Sequence, residues 1–253
     1  MSTPIKVLVE GVGPQGDAWK GMLQEKGFLV QSIEEAGDGL DVQFALEVTN
    51  SDLTIKRQRV QKLDQMLPTG IPLLVTTLAV TATEVASWTR HPQRVCGFGT
   101  FLPLEEGNLI EIAPALQTDP SILAQAATFF SALGKETEVV EDEVGLVFPR
   151  ILSLIINEAI FALIERVAEP EDIDQGMKLG TNYPFGPLRW ADRVGLDEVY
   201  SVIDGLHREM KEERYRPAPL LRKMVLAGWL GEGVGRGFYT YEIEKEGNYA
   251  KQS

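Results

Sequence analysis

The hydrophobic and polar positions change rhythm once along the chain, and the change divides it in two. In the first half, short β-branched runs alternate with amphipathic stretches. Residues 5–9, Ile5-Lys6-Val7-Leu8-Val9, read as a short β-branched buried strand stopped by Gly11. Ala18, Trp19, Met22 and Leu23 then fall at helical spacing between Asp17 and Lys26, with Gly27 placed to cap the end. Residues 28–33 predict a second strand, 34–39 a tight polar connection, and 42–48 a third strand. A helix over 52–67 carries Leu53, Val60, Leu63 and Leu67 on one side and ends at Pro68-Thr69-Gly70. A strand over 73–77, a short helix from Thr83, strands around 95–98 and 109–112, a helix over 124–133 and a strand at 139–140 complete this half. Such alternation predicts a mostly parallel, doubly wound sheet.

From Ile151 to Val167 nearly every position is apolar, interrupted by Ser153, Asn157, Glu158, Glu165 and Arg166. That is the pattern of a helix buried among other helices. Glu169-Pro170-Glu171 reads as the start of another, with proline in the first turn and acids near the positive end of the dipole. Helical spacing returns over 196–212 and 218–229, with no strand signal. The expected architecture is an α/β Rossmann-like domain over residues 1–140, followed by an all-α domain over 141–253.

Charge and composition narrow the partners. The formal net charge is -13, from 37 acidic and 24 basic side chains, a field that repels nucleic-acid phosphates and anionic lipid. A small anionic ligand remains compatible, because a helix N-terminus holds phosphate locally. The single cysteine, Cys96, excludes an internal disulfide and a cysteine zinc cluster, and no metal is expected. The N-terminal segment lacks the apolar stretch of a signal peptide. The longest uncharged run, 65–83, is interrupted by Pro68, Gly70 and Pro72 and does not read as a membrane span. A cytoplasmic protein is expected.

The candidate chemistry starts at Gly11-Val12-Gly13-Pro14-Gln15-Gly16, a G-x-G-x-x-G turn between a predicted strand and a predicted helix. Gly11, Gly13 and Gly16 would allow the tight turn, close approach of a pyrophosphate and close helix–strand packing. The same glycines would also serve a sheet that has lost its ligand. The acidic residue expected about 20 residues on, which would bond a ribose hydroxyl, falls on Glu34 or Glu35. Either would select NAD over NADP; either also reads as a solvated loop carboxylate. Cys96, inside an apolar strand, reads as a small buried hydrophobe, and His91 and His207 as surface residues. Glu111, flanked by Leu109, Ile110 and Ile112, needs a partner to offset its burial, which makes it a site candidate.

The second half carries a more specific signal. Arg150-Ile151-Leu152, Asn157-Glu158-Ala159, Glu171-Asp172-Ile173-Asp174, Gly186-Pro187-Leu188, Ala191-Asp192, Gly195-Leu196-Asp197, Tyr215-Arg216-Pro217 and Gly235-Arg236-Gly237-Phe238-Tyr239 occur in order. Together they resemble the C-terminal domain of the 3-hydroxyacyl-CoA dehydrogenase family, and the first half resembles that family's NAD-binding domain. The resemblance implies an NAD-dependent oxidoreductase of acyl-CoA metabolism that dimerises through its helical domain. It also implies losses. The position of the family's catalytic histidine is Gly99, and that of its active-site serine is Leu78. The asparagine position is Pro149. The glutamate that orients the histidine falls on Glu111. The helical pair that the family places between its second and third strands has no counterpart, since residues 35–41 span that interval. Without a positioned base, hydride removal from a carbinol forgoes about 10² to 10⁴ in rate. Any remaining activity would place Glu111, Thr76, Thr77 and Thr100 around a small substrate. Two readings stand: a divergent dehydrogenase with weak or altered activity, or a catalytically silent dimeric scaffold or regulatory subunit.

Overall fold

The computed structural model describes residues 4–11, 13–35 and 40–242. Val12 of the glycine turn and residues 36–39 of the expected polar connection lie outside them. The first half runs β1 (Lys6–Glu10), α1 (Gly13–Glu25), β2 (Leu29–Gln31), β3 (Phe44–Glu47), α2 (Leu53–Met66), β4 (Leu73–Thr76), α3 (Ala82–Ser87), β5 (Val95–Gly99), β6 (Leu109–Pro114), α4 (Pro120–Ala132) and β7 (Glu136–Val139). The strands form one seven-stranded sheet in the order β2-β1-β3-β4-β5-β6-β7. Every neighbouring pair is parallel except β5 with β6. This is the Rossmann-like sheet that the alternating pattern predicts.

Alternation along the strands sorts the core onto both faces. Val7 and Val9 join Trp19, Phe98, Phe129 and Phe130 on the face covered by α1 and α4. Leu8 joins Ala45, Val60, Leu63, Val75 and Val85 on the face covered by α2 and α3. Because both faces are buried, the strands read as continuous apolar runs. Trp19 meets Phe98 edge to face with ring centroids 5.3 Å apart.

The second half is α5 (Phe148–Ile164), α6 (Pro170–Thr181), α7 (Pro187–Val194), α8 (Leu196–Met210) and α9 (Pro219–Leu226). Its core gathers Ile156, Ile160, Leu188, Val199 and Val202, and Leu78 and Phe101 from the first half pack into it. The family-like motifs tie this unit together. Asp174 accepts from the amides of Leu188 and Arg189 at 2.8 and 2.9 Å, capping α7. Asp192 accepts from the amides of Phe238 and Tyr239, each at 2.9 Å. Asn157 donates to the Arg216 carbonyl and accepts from the Ala218 amide. Buried carboxylates and amides satisfied in this way cannot be exchanged for one another, which is why the spacing is readable.

Several boundaries differ from the expectation, for local reasons. Helix α1 starts at Gly13 rather than Asp17, and α4 at Pro120 under an Asp119 cap whose carboxylate accepts from the Ser121 amide at 2.7 Å. Helix α5 starts at Phe148 rather than Ile151, because Pro149 occupies its first turn, where a missing N–H costs nothing. Helix α7 was not anticipated: it is eight residues long, and the carboxylate that caps it, Asp174, comes from the preceding helix. Among the described residues, no helix is long and apolar enough to cross a membrane, and no cluster of metal-ligating side chains occurs.

Candidate functional site

The chain passes from β1 to β2 on one side and then returns to β3 on the other, so the sheet reverses direction between β1 and β3. A ligand crevice forms outside the carboxyl ends of the strands at such a point. The glycine turn lies there. A Cβ on Gly11 would stand 2.3 Å from Cγ2 of Val48, at the end of β3, and one on Gly16 would stand 2.6 Å from the Gly11 carbonyl oxygen. These two glycines let the strand end, the helix and β3 close on one another. Gly13 has φ +65° with open space beyond it, and with Pro14 it leaves the first turn of α1 exposed. An exposed helix N-terminus over a glycine-rich turn fits a dinucleotide pyrophosphate.

The acidic candidates around β2 are placed differently. The Glu35 carboxylate folds back to accept from the Ser32 amide at 2.9 Å, a bond that holds its pKa below the ordinary value. Glu34 is exposed in the turn after β2. Glu10, at the end of β1, accepts from the Ile33 amide at 2.8 Å and so ties β2 to the crevice.

Further along the sheet edge, the positions that the resemblance pairs are brought together. Gly99, at the end of β5, is buried, and a Cβ there would stand 2.6 Å from Cδ1 of Leu146 and 3.1 Å from Cδ2 of Leu78. Leu146 reaches this spot with φ +53°, a left-handed conformation that costs a branched residue roughly 1–2 kcal/mol. The Glu111 carboxylate, 4% exposed, accepts from the amides of Val147 and Phe148 at 2.8 and 2.9 Å. It therefore serves the N-terminus of α5, the partner its burial demanded. Beyond Gly99 opens a cavity of about 480 Å³ lined by Phe101, Phe148, Phe185 and Trp190, with Thr100, Glu111 and Pro149 at its margin.

Thr76 and Thr77 do not line it. Thr77 donates to the Phe98 carbonyl at 3.3 Å, and Thr76 accepts from Lys56 at 3.1 Å. Cys96 is enclosed in β5, and burial pushes its thiol up to about 12. The Nδ1 atom of His91 lies 3.2 Å from Asp64 and His91 does not line the cavity, and His207 is half-buried on α8.

One buried polar group escaped the sequence reading. Lys56 and Glu47 form an ion pair whose side chains are fully enclosed, and Lys56 also donates to the Thr49 carbonyl at 2.9 Å. Burial lowers the Lys56 pKa, while Glu47 opposes the shift. Next to this pair, Asn50 donates to Glu198 of α8 at 2.8 Å across the domain boundary. The signal was available for Glu47, a carboxylate among Phe44, Ala45, Leu46 and Val48, which is the same pattern that singled out Glu111.

Comparison with known proteins agrees with this architecture. The family profile of the 3-hydroxyacyl-CoA dehydrogenase NAD binding domain matches residues 9–143, and that of the C-terminal domain matches residues 145–241. A Bacillus subtilis protein named a probable 3-hydroxybutyryl-CoA dehydrogenase is 40% identical over 212 residues, 84% of this chain and 73% of its own. The 3-hydroxybutyryl-CoA dehydrogenase of Bradyrhizobium diazoefficiens is 35% identical over 216 residues, 85% of this chain and 74% of its own. Among solved structures, (S)-3-hydroxybutyryl-CoA dehydrogenase PaaH1 of Ralstonia eutropha superposes with a TM-score of 0.78 at 28% identity, covering 95% of this chain and all of that one. A two-domain match of this extent, with the glycine turn and the capping carboxylates in place, shows that the chain belongs to the 3-hydroxyacyl-CoA dehydrogenase family.

Proposed function

We propose that this chain binds NAD at the glycine turn and a small acyl or acyl-CoA ligand in the aromatic-lined cavity, with ordinary 3-hydroxyacyl-CoA dehydrogenase activity weak or lost. The observation that carries the reading is the contrast between two neighbouring sites. The turn at Gly11, Gly13 and Gly16 retains the packing and openness a pyrophosphate needs. The pocket at Gly99 is filled by Leu78 and Leu146, and Glu111 is engaged by two backbone amides. NAD, when bound, supplies a hydride acceptor; the chain must supply a base for the hydroxyl proton and donors for the developing oxyanion. Glycine, leucine and proline at positions 99, 78 and 149 supply neither. Names of relatives such as 3-hydroxybutyryl-CoA dehydrogenase support a short acyl chain as the ligand class.

A second reading, a catalytically silent dimeric subunit, is favoured by large apolar side chains left exposed on the helical domain. Ile151, Ile164 and Val167 on and just after α5, and Leu179 on α6, are 53%, 42%, 70% and 77% exposed. A second copy of this chain is the occupant proposed for that surface.

Calorimetric titration with NADH and then with acetoacetyl-CoA, followed by a turnover assay beside the Bacillus subtilis relative, tests the first reading. Micromolar NADH binding with turnover at least about 10²-fold below the relative is expected. Turnover within tenfold of the relative would overturn the loss of activity. Absence of NADH binding by a folded protein would overturn the cofactor reading.

A further inference from the structure

The cavity beyond Gly99 is larger than a four-carbon acyl group requires, and its walls favour one kind of occupant. A chain of rings runs along it. Phe148 meets Phe101 with centroids 6.4 Å apart and Trp190 at 6.1 Å, and Trp190 meets Phe185 at 6.0 Å. The Arg193 guanidinium lies over Phe185, 4.6 Å from its centroid, and fixes that ring from one side. Phe148 is 44% exposed, so apolar ring surface is left for a ligand to cover. Gly99 and Gly107 add no side chain to the lining, and Pro149 adds no N–H.

The polar groups exclude a charged occupant. No lysine, arginine or histidine is among the residues lining the cavity. Two carboxylates reach it and both are engaged, Glu111 by the Val147 and Phe148 amides and Glu106 by Arg193. A charge entering this space would lose its water and meet no counter-ion. Thr100 and Asn108 are the neutral polar side chains there. The loop that carries Glu106 and Gly107 is anchored from below by Lys135, which donates to the carbonyls of Leu104 and Gly107, the latter at 2.6 Å. The site is thus formed before a ligand arrives.

Size narrows the class further. A cavity of roughly 150 Å³ accepts benzene, and this one, at about 480 Å³, has room for a ring and the chain that carries it. A four-carbon acyl group, smaller than benzene, would leave most of the lining without contact. A long straight chain could fill the space but would forgo edge-to-face and offset contacts with the rings. Each such contact adds about two- to tenfold in affinity beyond the area buried.

We propose that this cavity receives an aryl group, so that its ligand is a short acyl chain ending in an uncharged aromatic ring. The proposal rests on the reading of the cavity as an acyl site and names the acyl group it takes. Phe148, Phe185 and Trp190 become specificity-determining residues, and Thr100 and Asn108 are left for the acyl oxygens.

The full-length protein would be titrated calorimetrically with acetoacetyl-CoA, 3-oxononanoyl-CoA and benzoylacetyl-CoA. The last two have the same number of acyl carbons and differ in whether those carbons close a ring. Benzoylacetyl-CoA is expected to bind at least about tenfold tighter than the straight chain. Phe148→Leu and Phe185→Leu keep an apolar side chain but remove a ring, and each should cut that preference at least about threefold while acetoacetyl-CoA binding is kept. A straight chain bound as tightly as the aryl thioester by the wild type would overturn the aryl inference and leave the acyl reading intact. A preference that survives both substitutions in folded variants would place the ring elsewhere and also overturn it. Failure of all three thioesters to bind would overturn both readings together. Should a variant not fold, the wild-type comparison still decides.

Discussion

At Gly99 the absence of a side chain is a packing fact as well as a chemical one. A histidine there must displace Leu146, whose Cδ1 would lie 2.6 Å from its Cβ, and press on Leu78. Overpacking of this kind costs about 1–3 kcal/mol, so Gly99→His alone should lower the unfolding free energy from urea titration by that amount without creating activity. Leu146→Ala, which removes the obstructing methyls, should recover part of the loss, giving a coupling of about 1 kcal/mol in a double-mutant cycle. Strict additivity of the two substitutions would show that Leu146 does not fill the site. Adding Leu78→Ser and Pro149→Asn should still leave acetoacetyl-CoA turnover well below that of the relative, because residues 35–41 cannot supply the helical cover over the substrate. Glu111 makes a separate prediction. Its carboxylate holds the Val147 and Phe148 amides, so Glu111→Ala should destabilise the fold by about 2 kcal/mol. Unchanged thermal stability in that variant would return Glu111 to the list of groups available for chemistry.

Among the elements, the central sheet was legible because its strands are short apolar runs between turn residues with both faces covered, whereas the polar edge strand β7, Glu136–Val139, was expected only at 139–140. The glycine turn was legible because a Cβ at Gly16 would meet the Gly11 backbone at 2.6 Å and one at Gly11 would meet the Val48 side chain at 2.3 Å. What stayed hidden shares one cause, contact between residues far apart in sequence. Asn50 meets Glu198 across 148 positions, and Leu146 reaches Gly99 from the connection before α5. Thr76 and Thr77 sat close to the candidate site in sequence, yet both are committed to partners inside the sheet. The exposed apolar residues at the two ends of α5 belong to this scale as well. The inner positions of the helix, including Leu152, Ile156 and Ile160, are buried, while Ile151 and Ile164 are not. Large apolar side chains left exposed at both ends of a helix and on the segment after it are the kind of surface that a second copy covers. The protein should therefore sediment at about twice 28.0 kDa at micromolar concentration. Ile151→Asp should shift it toward the monomer with the helical content retained; a wild-type monomer would refute the second-copy occupant.

For the whole molecule, the domain boundary is where pH acts. Glu198 sits on α8, faced by Asn50 and Gln15 from the first domain, with Asp197 beside it and Lys56 behind. Its carboxyl ionises near 8 in the folded chain against an ordinary value of 4.5. Between those values the unfolded chain has released this proton and the folded chain has kept it. The stabilisation is thus complete below about 4.5 and disappears as pH rises through about 8. Burial also raises the carboxyls of Asp192 and Asp197, which adds to the same trend. Within that window this one group makes stability fall by up to about 1.4 kcal/mol for each unit of pH. Urea denaturation of the wild type at pH 5, 6, 7 and 8 should show the decline, and Glu198→Gln should flatten it by about one proton's slope. The amide in that variant keeps an acceptor for Asn50 but carries no titrating proton. Parallel slopes for the two proteins would mean that Glu198 is ionised in the folded state. In that case the cleft beside the glycine turn would carry a full negative charge.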